Sequence, residues 1–142
     1  MDLPRTRDAI AALIPHQGAM CLWDEVRACD EASVHCASRR HRDAGQPLRL
    51  DGKLAAVHAI EYAAQLMAIH GALAGGEGAR PGVLAALRDV KLHAEFLDGV
   101  DTLEGHAQRV VLNGNGAMYQ CRVEGDGRVL LTARISVIHP AA

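Results

Sequence analysis

His58-Ala59-Ile60-Glu61-Tyr62-Ala63-Ala64-Gln65 sets an imidazole, a carboxylate and an amide inside a long apolar run. Residues three and four apart are neighbours on a helix, so His58, Glu61 and Gln65 share one face. Leu54, Ala68 and Ala72 extend that stripe. Ile60, Ala63, Ala64, Met67 and Ile69 occupy the opposite side, which leaves no evident solvent-facing surface and predicts a buried helix over about residues 52–73. A carboxylate taken out of water in such a helix costs stability and suits proton transfer. Glu61 is therefore the first candidate for chemistry.

Around this helix the chain predicts one compact α+β domain over residues 1–142, long enough for a single core. A short amphipathic helix is expected from Thr6 to Leu13, with Thr6 as N-cap and Pro15 as its stop. Met20 to Ala28 and Ala32 to Arg39 partly alternate apolar and polar residues, as half-buried strands do, with Cys29-Asp30-Glu31 between them. Arg39 to Leu50 reads as a loop into the helix, and the glycine run Gly75-Gly76-Glu77-Gly78 as its end. Beyond Pro81 the pattern turns to strands: Val83 to Phe96, Thr102 to Leu112, Ala117 to Glu124 and Arg128 to Ile138. Asn113-Gly114-Asn115-Gly116 and Gly125-Asp126-Gly127 are hairpin signals, because Asn, Asp and Gly tolerate positive φ. Two strands, one long helix and a final antiparallel meander describe a sheet wrapped around a helix.

Composition removes several classes of function. A formal net charge of -2 with scattered Lys and Arg offers no footprint for nucleic acid. The stretch Leu54 to Leu73 is long enough to raise a membrane span, but His58, Glu61, Gln65 and His70 are expensive in hydrocarbon, so a core helix is expected instead. The N-terminus lacks a basic start and an apolar run, which predicts a cytoplasmic protein. Cys21, Cys29, Cys36 and Cys121 contain no CxxC pair, and buried reduced thiols are the reading. The histidines show no metal spacing, so no metal is expected. The cluster Arg39-Arg40-His41-Arg42 is either a solvated loop or a contact for phosphates or an acidic protein surface.

Three stretches carry a family resemblance. Leu13-Ile14-Pro15-His16-Gln17-Gly18-Ala19-Met20-Cys21-Leu22-Trp23-Asp24-Glu25-Val26 is similar to the opening "PH…P-hydrophobic-(L/V)-D-x-V" of 3-hydroxyacyl-[acyl-carrier-protein] dehydratases, and Ile60-Glu61-Tyr62-Ala63-Ala64-Gln65 to the "E-x-x-A-Q" of their central helix. Asp89-Val90-Lys91-Leu92 with Gly99-Val100-Asp101-Thr102-Leu103 resembles the strand and turn that follow. The resemblance implies a hotdog fold, a homodimer or heterodimer, an acyl-carrier or coenzyme A thioester as substrate, and no cofactor beyond the substrate's own pantetheine.

The same resemblance puts the catalytic carboxylate at Glu61. It also exposes a departure: the family's "GHFP" loop histidine falls at Pro47. Asp51-Gly52-Lys53-Leu54 through Gln65 resembles a divergent branch associated with aryl-polyene clusters, which lacks that histidine. His58, one turn before Glu61, is the candidate base. Gln65, His16 and Ala64 are candidate binding residues, with Gln65 expected to orient Glu61 and the alanines to border an acyl channel. A buried ion pair of Glu61 with Arg88 or Arg122 is the structural alternative. Dehydration of a 3-hydroxyacyl thioester is the expected activity. A thioesterase, or a non-catalytic partner subunit of a complete dehydratase, are the competitors.

Overall fold

The computed structural model describes residues 3–14, 20–74 and 83–138. His16 and the Gly75 to Gly78 run lie outside these residues. Helix α1 spans Arg7–Ala11, and Thr6 caps it as expected, its hydroxyl accepting from the Ala9 amide at 3.1 Å. Strands β1 (Glu25–Cys29) and β2 (Ser33–Ser38) precede the long helix α2 (Ala59–Ala74), which continues directly from a 3-10 turn at Ala56–His58. Strands β3 (Val83–Leu92), β4 (Leu103–Asn113), β5 (Gly116–Gly125) and β6 (Arg128–Ile138) follow.

The six strands form one antiparallel sheet in the order β1-β2-β4-β5-β6-β3. Helix α2 packs across its inner face on β2, β4, β5 and β6 and hardly reaches β3. This is the α+β hotdog architecture. The meander β4–β6 matches the sequence expectation within a residue or two because its turns are locally encoded. Asp126 and Gly127 both take positive φ, 52° and 76°, as a tight two-residue hairpin turn requires. At the first turn Asp30 accepts from the Ala32 and Ser33 amides at 2.9 and 2.8 Å.

Two elements begin later than the pattern suggests. Residues 21–24 carry no strand, which starts only at Glu25; Met20, Leu22 and Trp23 are tied to the helix instead, through Gln65 and the Tyr62 carbonyl. Residues 52–55 form no helix, because Asp51 and Gly52 both have positive φ, 53° and 75°, and close a turn in which Leu50 and Lys53 exchange backbone hydrogen bonds of 2.8 and 3.0 Å. Apolar residues continue the helical period through this turn, which is why periodicity alone overruns it.

Core packing fixes the helix against the sheet. Trp23, fully buried, donates its indole N–H to the Tyr62 carbonyl at 2.8 Å and meets the Tyr62 ring edge-on at 5.3 Å. Gly105 on β4 makes room for it: a Cβ there would stand 2.6 Å from the Trp23 ring and 2.8 Å from a Leu66 methyl. Gly105→Ala is expected to lower stability by about 1–3 kcal/mol through overpacking, read as a shift in denaturant midpoint with an unchanged m-value.

The four cysteines are free thiols, and Cys21, Cys36 and Cys121 are buried. Burial pushes the Cys121 thiol up to about 12, which leaves it inert. Among the described residues no helix is long and apolar enough to cross a membrane.

Buried histidines make the fold sensitive to acid. His70 on α2 donates from Nε2 to the Asp30 carbonyl at 3.0 Å, so its Nδ1 accepts from the Tyr119 hydroxyl at 2.6 Å. Burial lowers the pKa of His70, and likewise that of His41. Both are neutral in the folded protein, whereas the unfolded chain protonates them below about pH 6.5. The unfolded state then binds more protons, so stability is complete above that pH and declines as pH falls toward the lowered folded-state values. Urea titrations at pH 7.5 and 5.5 check this, and His70→Gln is expected to flatten the dependence.

Candidate functional site

The segment entering α2 is stitched to the chain between β3 and β4. Ala56 donates to the Glu95 carbonyl and Leu97 to the Leu54 carbonyl, each at 2.9 Å, and Lys53 lies 4.8 Å over the Phe96 ring. Arg49 is the hub of this region, its side chain 9% exposed. Its guanidinium pairs with Asp98, donates to the His41 carbonyl, and reaches the Asp43 and Gly52 carbonyls at 3.1 and 3.0 Å. Asp98 in turn accepts from the Leu54 amide at 2.9 Å. One buried cation thus ties both ends of the loop to the wall that positions the start of the helix.

Helix α2 is not buried all round. In the 3-10 turn before it Val57 is 49% exposed and His58 half-buried, and Ile60, Glu61, Ala64 and Ala68 of α2 continue this as one half-buried, open stripe. The sheet curls over the other side only, burying Ala59, Tyr62, Ala63, Leu66 and Ile69. His58 and Glu61 therefore share an accessible surface, as their spacing predicts, but Ala64, expected on the opposite side, joins them there and Gln65 is buried instead. β3 is the last strand in the sheet order and runs along its edge. Leu87 pairs with the buried Ile135 and Leu92 with the buried Leu131, so both point to the helix side while remaining 39% and 46% exposed. A carboxylate and an imidazole thus sit on an open helix flank, and the edge strand leaves inward-pointing leucines uncovered.

Gln65 does something other than orient Glu61. Fully buried, it accepts from the Leu22 amide at 2.9 Å and donates to the Met20 carbonyl at 2.6 Å. Its amide straps the segment ahead of β1 to the helix and satisfies backbone groups that have no strand partner. The proposed pairing of Glu61 with Arg88 or Arg122 is overturned by topology. Arg122 alternates with the buried Cys121 and Val123, and Arg88 pairs with Arg134, which lies between buried Ala133 and Ile135; both arginines face away from the helix.

The basic cluster also resolves into local ties. Arg40 pairs with Asp24 at 3.0 Å and Arg42 with Asp101 at 3.2 Å, while Arg39 donates to the Thr102 hydroxyl at 3.3 Å. His41 is the residue the sequence conceals: fully buried, it donates from Nε2 to the Val100 carbonyl at 2.7 Å, and its Nδ1 has no partner among the described residues. Pro47, at the position resembling the family histidine, is exposed and borders a cavity of about 170 Å³. That cavity is also lined by Arg7, Cys21, Arg40, Gln46 and Tyr62. Gln46 donates to the Tyr62 hydroxyl at 3.2 Å, and burial raises that phenol to about 12. Among the described residues no cluster of His, Cys, Asp or Glu is arranged to hold a metal ion.

Comparison with known proteins agrees with this architecture. The dehydratase heterocomplex ApeI:P from Xenorhabdus doucetiae superposes with a TM-score of 0.81 at 23% identity, covering 93% of this chain and 91% of that one. A mutant thioesterase from Pseudomonas aeruginosa gives 0.60 at 16% identity, covering 80% and 78%. A hypothetical thioesterase with coenzyme A from Streptococcus pneumoniae gives 0.62 at 13%, covering 82% and 85%. At these identities the likeness is one of fold. No curated protein matches in sequence. The family model of the ApeP-like proteins, described as ApeP dehydratase, matches residues 8–142. Nearly the whole chain is covered, and the protein belongs to the ApeP-like dehydratase family.

Proposed function

We propose that the chain is the carboxylate-bearing subunit of a dehydratase that converts a 3-hydroxyacyl thioester to the 2-enoyl thioester. The observation that carries this reading is the open stripe at the start of α2 and the turn before it, which holds His58, Glu61 and Ala64 together on one accessible surface. In dehydration a base takes the proton from the carbon next to the thioester carbonyl, the carbon–carbon double bond forms, and the carbon–oxygen bond to the hydroxyl breaks. An acid delivers the proton that lets the hydroxyl leave as water. Glu61 is that acid and His58 that base. Side chains one helical turn apart have Cβ atoms about 5–6 Å from each other, a spacing that can straddle two adjacent substrate carbons.

The stripe is too open for this chemistry in a lone chain, since desolvation strengthens acid–base catalysis. A second hotdog subunit supplies the cover. β3 is a ten-residue edge strand whose Leu84, Leu87, Val90 and Leu92 are all exposed, a surface that proteins do not leave unpaired. The relative from Xenorhabdus is described as a heterocomplex, which supports a non-identical partner. A second subunit that pairs along β3 and packs on its inner side covers the leucines and closes Ala64 and Ala68 into a channel for the acyl chain.

Mass spectrometry of carrier-bound substrates tests the activity. Incubated with its partner subunit, the protein is expected to convert a 3-hydroxyacyl thioester to a product lighter by one water. Release of free acid from a saturated acyl thioester, without dehydration, would instead make it a thioesterase.

A further inference from the structure

The outer face of the sheet, turned away from α2, carries a concentration of positive charge that the described residues neutralise only in part. Arg88 on β3 and Arg134 on β6 are direct cross-strand partners, and like charges placed opposite one another destabilise a sheet. The adjoining row holds Lys91, paired with Thr132, which is paired in turn with Arg122. By strand spacing these four cations occupy a patch roughly 10 Å by 7 Å, with Gln120 and Thr132 as hydrogen-bonding residues between them. Arg122 has a carboxylate partner, Glu124, at 3.1 Å. Among the described residues Arg88, Arg134 and Lys91 make no ion pair, although all three are exposed. The acidic residue of β3, Asp89, sits in the bulge between Arg88 and Lys91 at a φ of 52°.

This excess is local. The chain as a whole carries a formal charge of -2, and on the other side of the same face Glu104 is shared by Arg27 and His35 at 3.0 and 3.1 Å. Charges there are balanced, and on β3 and β6 they are not. An unopposed arginine pair has a cost that a bound anion removes. The patch also spans more than one phosphate: two rows of cations suit several carboxylates presented together.

We propose that the outer face of β3, β6 and β5, centred on Arg88, Arg134 and Lys91, is the docking surface for an acidic protein that delivers the substrate. In resting on the function proposed above, this takes that protein to be the acyl carrier. β3 alternates, so the strand that lines the groove with Leu87 and Leu92 presents Arg88 and Lys91 on its other side. Pairing of the β3 edge with a second subunit leaves this outer face open, because strand pairing uses the edge and not the face.

Arg88→Glu and Arg134→Glu, each in the chain complexed with its partner subunit, separate docking from folding. Either single reversal replaces a like-charged cross-strand pair by an opposite-charged one, so thermal stability is expected to hold or rise. Affinity for purified apo acyl carrier protein, measured by interferometry at low salt, is expected to fall about tenfold or more, with a shallower salt dependence. Turnover of a small pantetheine thioester, which has no carrier, is expected to stay unchanged. Unaltered carrier affinity in both variants would overturn the proposal, as would equally effective competition by coenzyme A. Loss of all turnover alongside normal, patch-dependent carrier binding would count against the proposed reaction and not against the docking surface.

Discussion

Glu61→Gln is expected to lower kcat/KM for dehydration by about 10²–10⁴-fold while leaving the thermal unfolding midpoint nearly unchanged. The substitution keeps size and hydrogen-bonding capacity and removes only the ability to deliver a proton. Glu61 lies on the half-buried stripe of α2 and not in the packed core. His58→Gln is expected to fall in the same range, because a pair acting as a unit loses most of its effect when either member is removed. Steady-state assays by 2-enoyl absorbance, paired with calorimetry, distinguish this from a folding defect. If Glu61→Gln retained full activity, the acid would have to be sought near the Gln46–Tyr62 cavity.

Arg49→Ala is expected to have the largest effect on stability, about 3–5 kcal/mol, because it removes one member of a mostly buried ion pair and strands its partners. Asp98, two backbone carbonyls of the loop and the carbonyl of His41 all lose a donor. Burial raises the Asp98 carboxyl, but the Leu54 amide and Arg49 outweigh that and hold it below the usual carboxylate range. Its contribution is therefore present above about pH 3.9 and lost as pH falls through the lowered value. Arg49→Lys is expected to recover only part of the loss, since an ammonium cannot serve four acceptors in a planar fork. Chemical denaturation of both variants measures this. Hydrogen exchange should also show opening of residues 43–54 ahead of the rest of the fold.

The parts of this architecture that local chemistry dictates were legible in the sequence. The hairpins at Asn113–Gly116 and Gly125–Gly127, the Thr6 cap and the helix carrying Glu61 depend on neighbours in the chain. What the sequence hid depends on residues far apart. Arg49 and His41 look like members of a solvated basic loop until Asp98 and Val100, some fifty residues on, come to meet them. Gln65 reads as a companion of Glu61 because both lie on one helical face, but its partners are the backbone of Met20 and Leu22 on another segment. The half-open helix was concealed for a related reason: an alanine-rich stripe looks equally apolar whether it meets its own sheet or a second subunit. Arg88 and Arg122 seemed possible partners for Glu61 until sheet register placed them on the far face.

The central claim is that the reaction takes place on the open stripe of α2, under the cover of a second subunit. The most direct test is a crystal structure of the active assembly holding a non-reactive 3-hydroxyacyl pantetheine amide. The predicted result is a Glu61 carboxyl oxygen within about 2.6–3.2 Å of the substrate's 3-hydroxyl, the acyl chain running past Ala64 and Ala68. A ligand seated instead in the cavity between Arg7, Gln46 and Tyr62, with Glu61 out of reach of its hydroxyl, would contradict the account.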